Sequence, residues 1–182
     1  MRNKALNLTT YTFTKGESLL LDANIWLCLF PAPSGSPSYV TAKYSSALKN
    51  MIQTGAQLVL DALILSEYLN CYCRIEYKAT APQGVTFKQY RNSPAFLPVG
   101  KTATGYAQNI LGLCQRHNHP FASTDINQVL GNFEAGINDF NDGLLADACR
   151  QNGWKLVTHD GDFTEGGINV LTVNGKLLAA CP

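Results

Sequence analysis

Short uninterrupted apolar runs alternate along this chain with longer stretches in which apolar residues recur every three or four positions. Residues 18–21 (SLLL) are apolar without alternation, as a parallel strand covered on both faces should be, and the run stops at Asp22. Residues 31–38 (PAPSGSPS) read as a loop by composition. Residues 40–54 place Val40, Tyr44, Leu48 and Ile52 at four-residue spacing, which predicts a helix with Gly55 as its C-cap. Residues 57–60 (QLVL) predict a second strand. Asp61 follows as a helix N-cap, and residues 62–77 predict a helix packed through Ile64, Tyr68, Cys71 and Ile75. Residues 79–104 are rich in Pro and Gly and read as irregular, with one short helix at 87–91. A helix is expected over 103–116, a short strand over 121–124, and a turn or short helix over 125–133. Residues 142–151 predict a helix of small residues stopped by Asn152-Gly153. Residues 154–158 (WKLVT) and 169–173 (NVLTV) predict two further strands.

Strands alternating with helices imply an α/β fold, a three-layer α/β/α sandwich around a mostly parallel sheet. At 182 residues the chain suits a single domain, 1–182, with an irregular excursion over 79–120. Hydrophobic residues make up 46% and charged residues 15%, which excludes a disordered chain. The longest apolar run, residues 19–30, is interrupted by Asp22 and Asn24 and is too short to span a bilayer. Arg2 and Lys4 are not followed by an apolar run, so no signal peptide is read. The six cysteines form no CxxC pair, and the CxC at Cys71 and Cys73 is a weak metal signal. Reduced, buried thiols in a cytoplasmic protein are expected.

Charge is segregated, and this changes the picture. Between Tyr77 and Thr124 there is no Asp or Glu, while Lys78, Lys88, Arg91, Lys101 and Arg116 all fall inside. From Glu134 to Glu165 the balance reverses, with seven acids against Arg150 and Lys155. Such a chain can join a polyanion-binding surface to a cation-binding site. The basic residues are candidate phosphate contacts. Tyr77, Phe87, Tyr90, Phe96 and Tyr106 are interleaved with them. Each taken singly reads as core; taken together they could stack on unpaired bases.

Sites in open α/β sheets form at the carboxyl ends of strands. Asp22 follows one predicted strand, Asp160 and Asp162 follow another, and Asp142 opens the helix leading into the latter. Each alone also suits a cap or turn. Several together would repel and need compensation, and oxygen ligands without a His or Cys pattern favour Mg²⁺ or Mn²⁺. Glu67 interrupts an otherwise apolar helix stripe, and a Glu is rarely buried without a partner.

Four elements in order resemble the PIN-domain ribonucleases. Asp22-Ala23-Asn24-Ile25-Trp26 resembles the opening signature, and Ser66-Glu67 the second acidic position. Asp142-Gly143-Leu144-Leu145-Ala146 resembles the third, and Thr158-His159-Asp160-Gly161-Asp162-Phe163 the last. The resemblance spans residues 19 to 173. It implies an RNA-cleaving enzyme, often the toxin of a toxin–antitoxin pair of the VapC kind, with one or two Mg²⁺ or Mn²⁺ ions. It further implies an RNA substrate, an antitoxin partner and a homodimer. Residues 79–120 are longer than in the compact toxins. Gly143 stands where a better helix former is usual, which softens that turn.

In this reading Asp22, Glu67, Asp142 and Asp160 hold the metal, which activates water for phosphodiester hydrolysis. Asp139 is a further candidate three residues before Asp142, and Asp162 is a supporting or structural residue. Asn24 and Thr158 orient carboxylates or water by hydrogen bonds, or serve only the local backbone. His159 is placed to touch substrate phosphate, whereas His117 and His119 read as solvated in a polar turn. A non-catalytic module of the same fold, binding RNA or protein, is the alternative. A haloacid-dehalogenase phosphatase fits less well, because Asn24 stands where its second Asp belongs. A receiver domain also fits less well, because Lys155 lies at the start of its strand.

Overall fold

The computed structural model describes residues 1–36 and 39–182. Residues 37 and 38, part of the predicted 31–38 loop, lie outside the described residues. In chain order the elements are β1 (Lys4–Asn7), β2 (Ser18–Leu21), α1 (Ala23–Leu29), α2 (Thr41–Thr54), β3 (Gln57–Asp61), α3 (Ala62–Thr80), α4 (Phe87–Arg91) and α5 (Phe96–Leu113). There follow β4 (Gln115–His117), α6 (Ile126–Glu134), α7 (Phe140–Asn152), β5 (Lys155–Val157), β6 (Asn169–Thr172) and α8 (Gly175–Ala180). All strand pairs are parallel, in the order β1-β6-β5-β2-β3-β4. Helices cover the sheet, giving the three-layer α/β/α sandwich expected from the sequence.

β2 lies at the centre because its residues are apolar on both faces. Leu20 pairs with Val59 on one side and Leu156 on the other. Leu19, Leu20 and Leu21 are fully buried, each contributing roughly 1.5–3 kcal/mol of burial. From β2 the chain builds outward through β3 and β4, then returns to lay β5 and β6 on the opposite side. The strand order therefore reverses between β2 and β5, and this is where a site is expected in an open parallel sheet.

Several local expectations are corrected. The 79–120 excursion holds the short helix expected at 87–91, as α4, but is otherwise not irregular: it also contains all of α5 and β4. α5 begins at Phe96 despite Pro98 and Gly100, because Pro98 lies in the first turn, where a backbone N–H has no helical partner to lose. The predicted 103–116 helix ends at Leu113, and Gln115 to His117 form an edge strand on β3. Residues 121–123 form a 3-10 turn rather than a strand. β1, α1 and α8 were not read from the sequence. On α2 the buried face is Tyr44, Ala47 and Met51, while Ile52 is exposed. On α3 it is Ile64, Tyr68, Tyr72 and Glu76, with Cys71 and Ile75 only half-buried. The Glu76 carboxylate accepts from the Ser34 backbone N–H and hydroxyl.

His119 is not solvated. Its Nδ1 lies 2.8 Å from the fully buried Asp61, which also caps α3 by accepting from the Leu63 N–H. His117 packs edge-on against Trp154. Tyr77, Phe87, Tyr90 and Phe96 pack in succession against one another, pinning α4 and α5 to α3. Tyr106 packs on Phe30 and Tyr72. These rings are structural. All six cysteines are free. No helix among the described residues is long and apolar enough to cross a membrane.

Gly143 does more than soften a turn. A Cβ there would lie 2.9 Å from Val129 Cγ1, so the bare backbone lets α7 approach α6. Alanine would gain about 1 kcal/mol of helix propensity but overpack a contact with a stiff, buried valine, at about 1–3 kcal/mol. Gly143→Ala should therefore lower the urea midpoint, and the same change in a Val129→Ala background should raise it. A stabilised single variant would show that the two helices are not in tight contact here.

Candidate active site

The carboxyl end of β2 delivers Asp22, which is 7% exposed. Its Oδ2 accepts from the Thr158 hydroxyl at 2.7 Å and from Asn24 Nδ2 at 2.6 Å. Asn24 Nδ2 also donates to Thr158 Oγ1 at 3.0 Å, and Asn24 Oδ1 accepts from the His159 N–H at 3.1 Å. Thr158 Oγ1 in turn accepts from the Asp160 N–H at 3.1 Å. Asn24 and Thr158 thus tie the ends of β2 and β5 together and orient Asp22, beyond any local backbone role.

Asp160 lies on the loop after β5. Its Oδ1 accepts from the Asp162 N–H at 2.8 Å, so Asp160 forms the turn around Gly161. Asp162 points outward to Lys176 Nζ of α8, at 2.5 Å. It is thus paired with a base, although it lines the same cavity as Asp139, Asp142 and Asp160. Asp139 is the N-cap of α7 without a side-chain capping bond, and Asp142 sits in the first turn. Glu67 is half-buried on α3. A cavity of about 610 Å³ is lined by Asp139, Asp142 and Asp160, with Phe133 and Lys176.

Electrostatics show that these groups converge. Burial raises the Asp142 carboxyl, and Asp22, Asp160, Asp139 and Glu67 push it further, to about 7. Burial also raises Glu67, with further upward pressure from Asp22, Asp139 and Asp160. Asp22 is raised mainly by burial, against the Thr158 hydrogen bond, which favours its charged form. Among the described residues none of these five acids has an ion-pair partner. They feel one another without closing a ligand shell: among the described residues, no three His, Cys, Asp or Glu side chains are grouped to hold a metal as they stand.

The basic candidates are placed elsewhere. Lys78 ends α3, Lys88 and Arg91 are on α4, Lys101 is on α5 and Arg116 on β4; all are exposed, and none lines the acidic cavity. Sequence reasoning missed Lys176 and Phe133, which do line it. Lys176 follows the last strand and could have been found by the same strand-end rule that pointed to Asp22. It also missed Tyr44, whose hydroxyl meets His159 Nδ1 at 3.0 Å.

Fold and site together define an α/β/α sandwich with a carboxylate cluster at its topological switch point. No protein-family model matches the chain, and no curated protein is similar to it. Among solved structures it is similar to the crystal structure of PAE2754 from Pyrobaculum aerophilum, at 19% identity and a TM-score of 0.48, over 95% of this chain and 94% of that one. That similarity says nothing of function.

The raised Asp142 carboxyl has a consequence for stability. Its ordinary value is 3.8 and its folded value about 7. Between those values the folded protein holds a proton that the unfolded chain has released, so stability falls as pH rises through that window. Asp142→Asn should remove this slope. In chelator, urea unfolding should show the variant more stable than the native chain at about pH 8, on the order of a few kcal/mol, with no such gain below about pH 4. Equal slopes in the two proteins would mean that Asp142 does not carry the repulsion.

Proposed function

We propose that the protein is a metal-dependent endoribonuclease whose site is formed by Asp22, Glu67, Asp142 and Asp160, with Asp139 at its edge. One observation carries the reading: at the switch point of a parallel sheet, burial and neighbouring acids raise the Asp142 and Glu67 carboxyls, and no ion pair within 4 Å offsets any of these acids among the described residues. Outside the site, Glu17, Asp61, Asp147, Asp162 and Glu165 each have a basic partner.

The donors suit a hard divalent cation such as Mg²⁺ or Mn²⁺, being all carboxylate oxygens. The carboxylates would have to draw closer to share one, as none of the present groupings forms a ligand set. Bound there, such an ion would lower the pKa of a coordinated water and offset charge on a phosphodiester under attack. The chain's own residues supply the rest. Thr158 and Asn24 donate to Asp22, opposing the effect of its burial, and fix its direction, as partners of metal ligands commonly do. Lys176, beside the cavity, supplies positive charge for substrate phosphate. The exposed Lys78, Lys88, Arg91 and Lys101 offer further phosphate contacts along the helices.

The lack of a ready ligand set among the described residues favours a second reading, a non-catalytic RNA- or protein-binding module. One experiment separates them. Purified protein is incubated with a mixed RNA pool in Mn²⁺, Mg²⁺ or EDTA, alongside Asp22→Asn, Glu67→Gln and Asp142→Asn. Metal-dependent cleavage reduced about a hundredfold or more in each variant is expected, by analogy with removal of other charge-stabilising groups. Isothermal titration should show Mn²⁺ binding to the native chain that each variant weakens. RNA binding without cleavage, insensitive to metal and to these substitutions, would favour the module.

A further inference from the structure

A second cleft, of about 230 Å³, shares no lining residue with the acidic cavity. Its walls include Asn24, Leu27, Cys28, Tyr44, Ile75 and His159. It nonetheless adjoins the carboxylates, because Asn24 donates to Asp22 and His159 directly precedes Asp160. A water takes up about 30 Å³ of liquid, so the cleft has room for one heterocyclic ring system rather than a whole nucleotide. Its lining is apolar apart from a few polar groups, the usual make-up of a small-ligand site.

Among the described residues His159 Nε2 has no hydrogen-bond partner, and the bonds made by its Nδ1 side assign its state. The Tyr44 hydroxyl lies 3.2 Å from the Thr158 carbonyl, 3.0 Å from His159 Nδ1 and 3.4 Å from the Val173 N–H, and is also in contact with Thr158's neighbour across the sheet, Thr172. It has one proton to give. The buried Thr158 carbonyl can only accept, and Tyr44 is its hydrogen-bond donor among the described residues; sending the proton elsewhere would orphan it. His159 Nδ1 is therefore the donor to Tyr44, and in the neutral ring Nε2 carries a lone pair. Beside His159, Tyr39 is 87% exposed, with its ring centroid 6.4 Å from that of the histidine, nearly edge-on. An exposed tyrosine beside a polar slot is a stacking face for an unpaired base.

We propose that this cleft receives the unpaired base of the RNA nucleotide beside the scissile phosphate, stacked on Tyr39, and that His159 Nε2 selects adenine or cytosine, which carry an amino group at the ring position (C6 or C4) where guanine and uracil carry a carbonyl. The proposal rests on the ribonuclease reading of the neighbouring carboxylates. The amino groups of adenine and cytosine donate to a lone pair. Uracil and guanine carry a carbonyl oxygen at the equivalent ring position, which would face Nε2 lone pair to lone pair. His159 is thus a specificity residue, and Tyr44 a positioning residue acting through its tautomer.

The test is binding of fluorescein-labelled tetranucleotides of A, C and U to the full chain in Ca²⁺, read by anisotropy, with cleavage of the same oligonucleotides read separately in Mn²⁺. A and C should bind about tenfold or more tighter than U. His159→Ala should bring the three within about threefold, and Tyr39→Ala should weaken all three by about tenfold while keeping their order. Should His159→Ala disturb the loop, ¹⁵N NMR of the imidazole still decides: Nδ1 protonated and Nε2 bare in the native chain, with the two tautomers mixed in Tyr44→Phe. Equal or absent binding of the three oligonucleotides, a preference that survives His159→Ala, or a bare Nδ1 overturns the proposal. Cleavage without base preference removes it and leaves the nuclease reading standing; base-selective binding without metal-dependent cleavage does the reverse.

Discussion

Thr158 and Asp22 close the joint between the two halves of the sheet. The threonine hydroxyl donates to the carboxylate at 2.7 Å where β5 and β2 end side by side, and both residues are buried. A buried carboxylate is costly unless it is hydrogen-bonded. Here Asn24 adds a second bond to the same oxygen, and then reaches on to the His159 backbone. The same atoms therefore serve the fold and the site. They hold the strand order at the point where it reverses, and they keep one carboxylate fixed and ionisable at the mouth of a crevice. The Asp160 N–H, bound to Thr158 Oγ1, places the next carboxylate by the same device.

What was legible in the sequence follows from this geometry. The central strands were readable because they are apolar on both faces, and Asp22 was readable because it ends the most apolar of them. Thr158 and Asn24 were legible only as candidates to orient a carboxylate; that they bond to each other and to the same aspartate depends on positions 134 apart in the chain being brought together. The edge strands were missed for the opposite reason. β4 (Gln115–His117) is polar and exposed, so nothing in its pattern separates it from the end of the helix before it. Pro98 and Gly100 suggested a loop where a helix runs, because the cost of proline depends on which turn it occupies. His119 looked solvated between Asn118 and Pro120, yet pairs with an aspartate 58 residues away.

Asp22, Glu67 and Asp142 depart from how the molecule treats its other buried acids. Asp61, Asp147 and Glu17, all well buried, are each matched by a base. Asp162, on the rim, is matched by Lys176. Glu76, buried without a base, is satisfied by two donors from Ser34. Asp142 has neither, and its carboxyl is pushed to about 7 by burial and by its neighbours. Local rules are broken most often where a protein works, with stability given up there and recovered elsewhere.

That contrast bears on where base selection can arise. A cluster of carboxylates can recognise a phosphodiester only through whatever offsets its charge, and every nucleotide carries the same phosphate. Discrimination has to come from groups beside the cluster whose donor or acceptor character is fixed. The Tyr44–His159 pair meets that condition, because a buried carbonyl on β5's own continuation dictates where the single hydroxyl proton goes. A histidine left free to choose its tautomer would accept either kind of base edge. Tying the ring to the backbone of the residue that holds Asp22 couples the direction of the carboxylate to the polarity of the cleft, so that one short segment, Thr158-His159-Asp160, supplies the positioning hydroxyl, the selective nitrogen and the carboxylate in sequence.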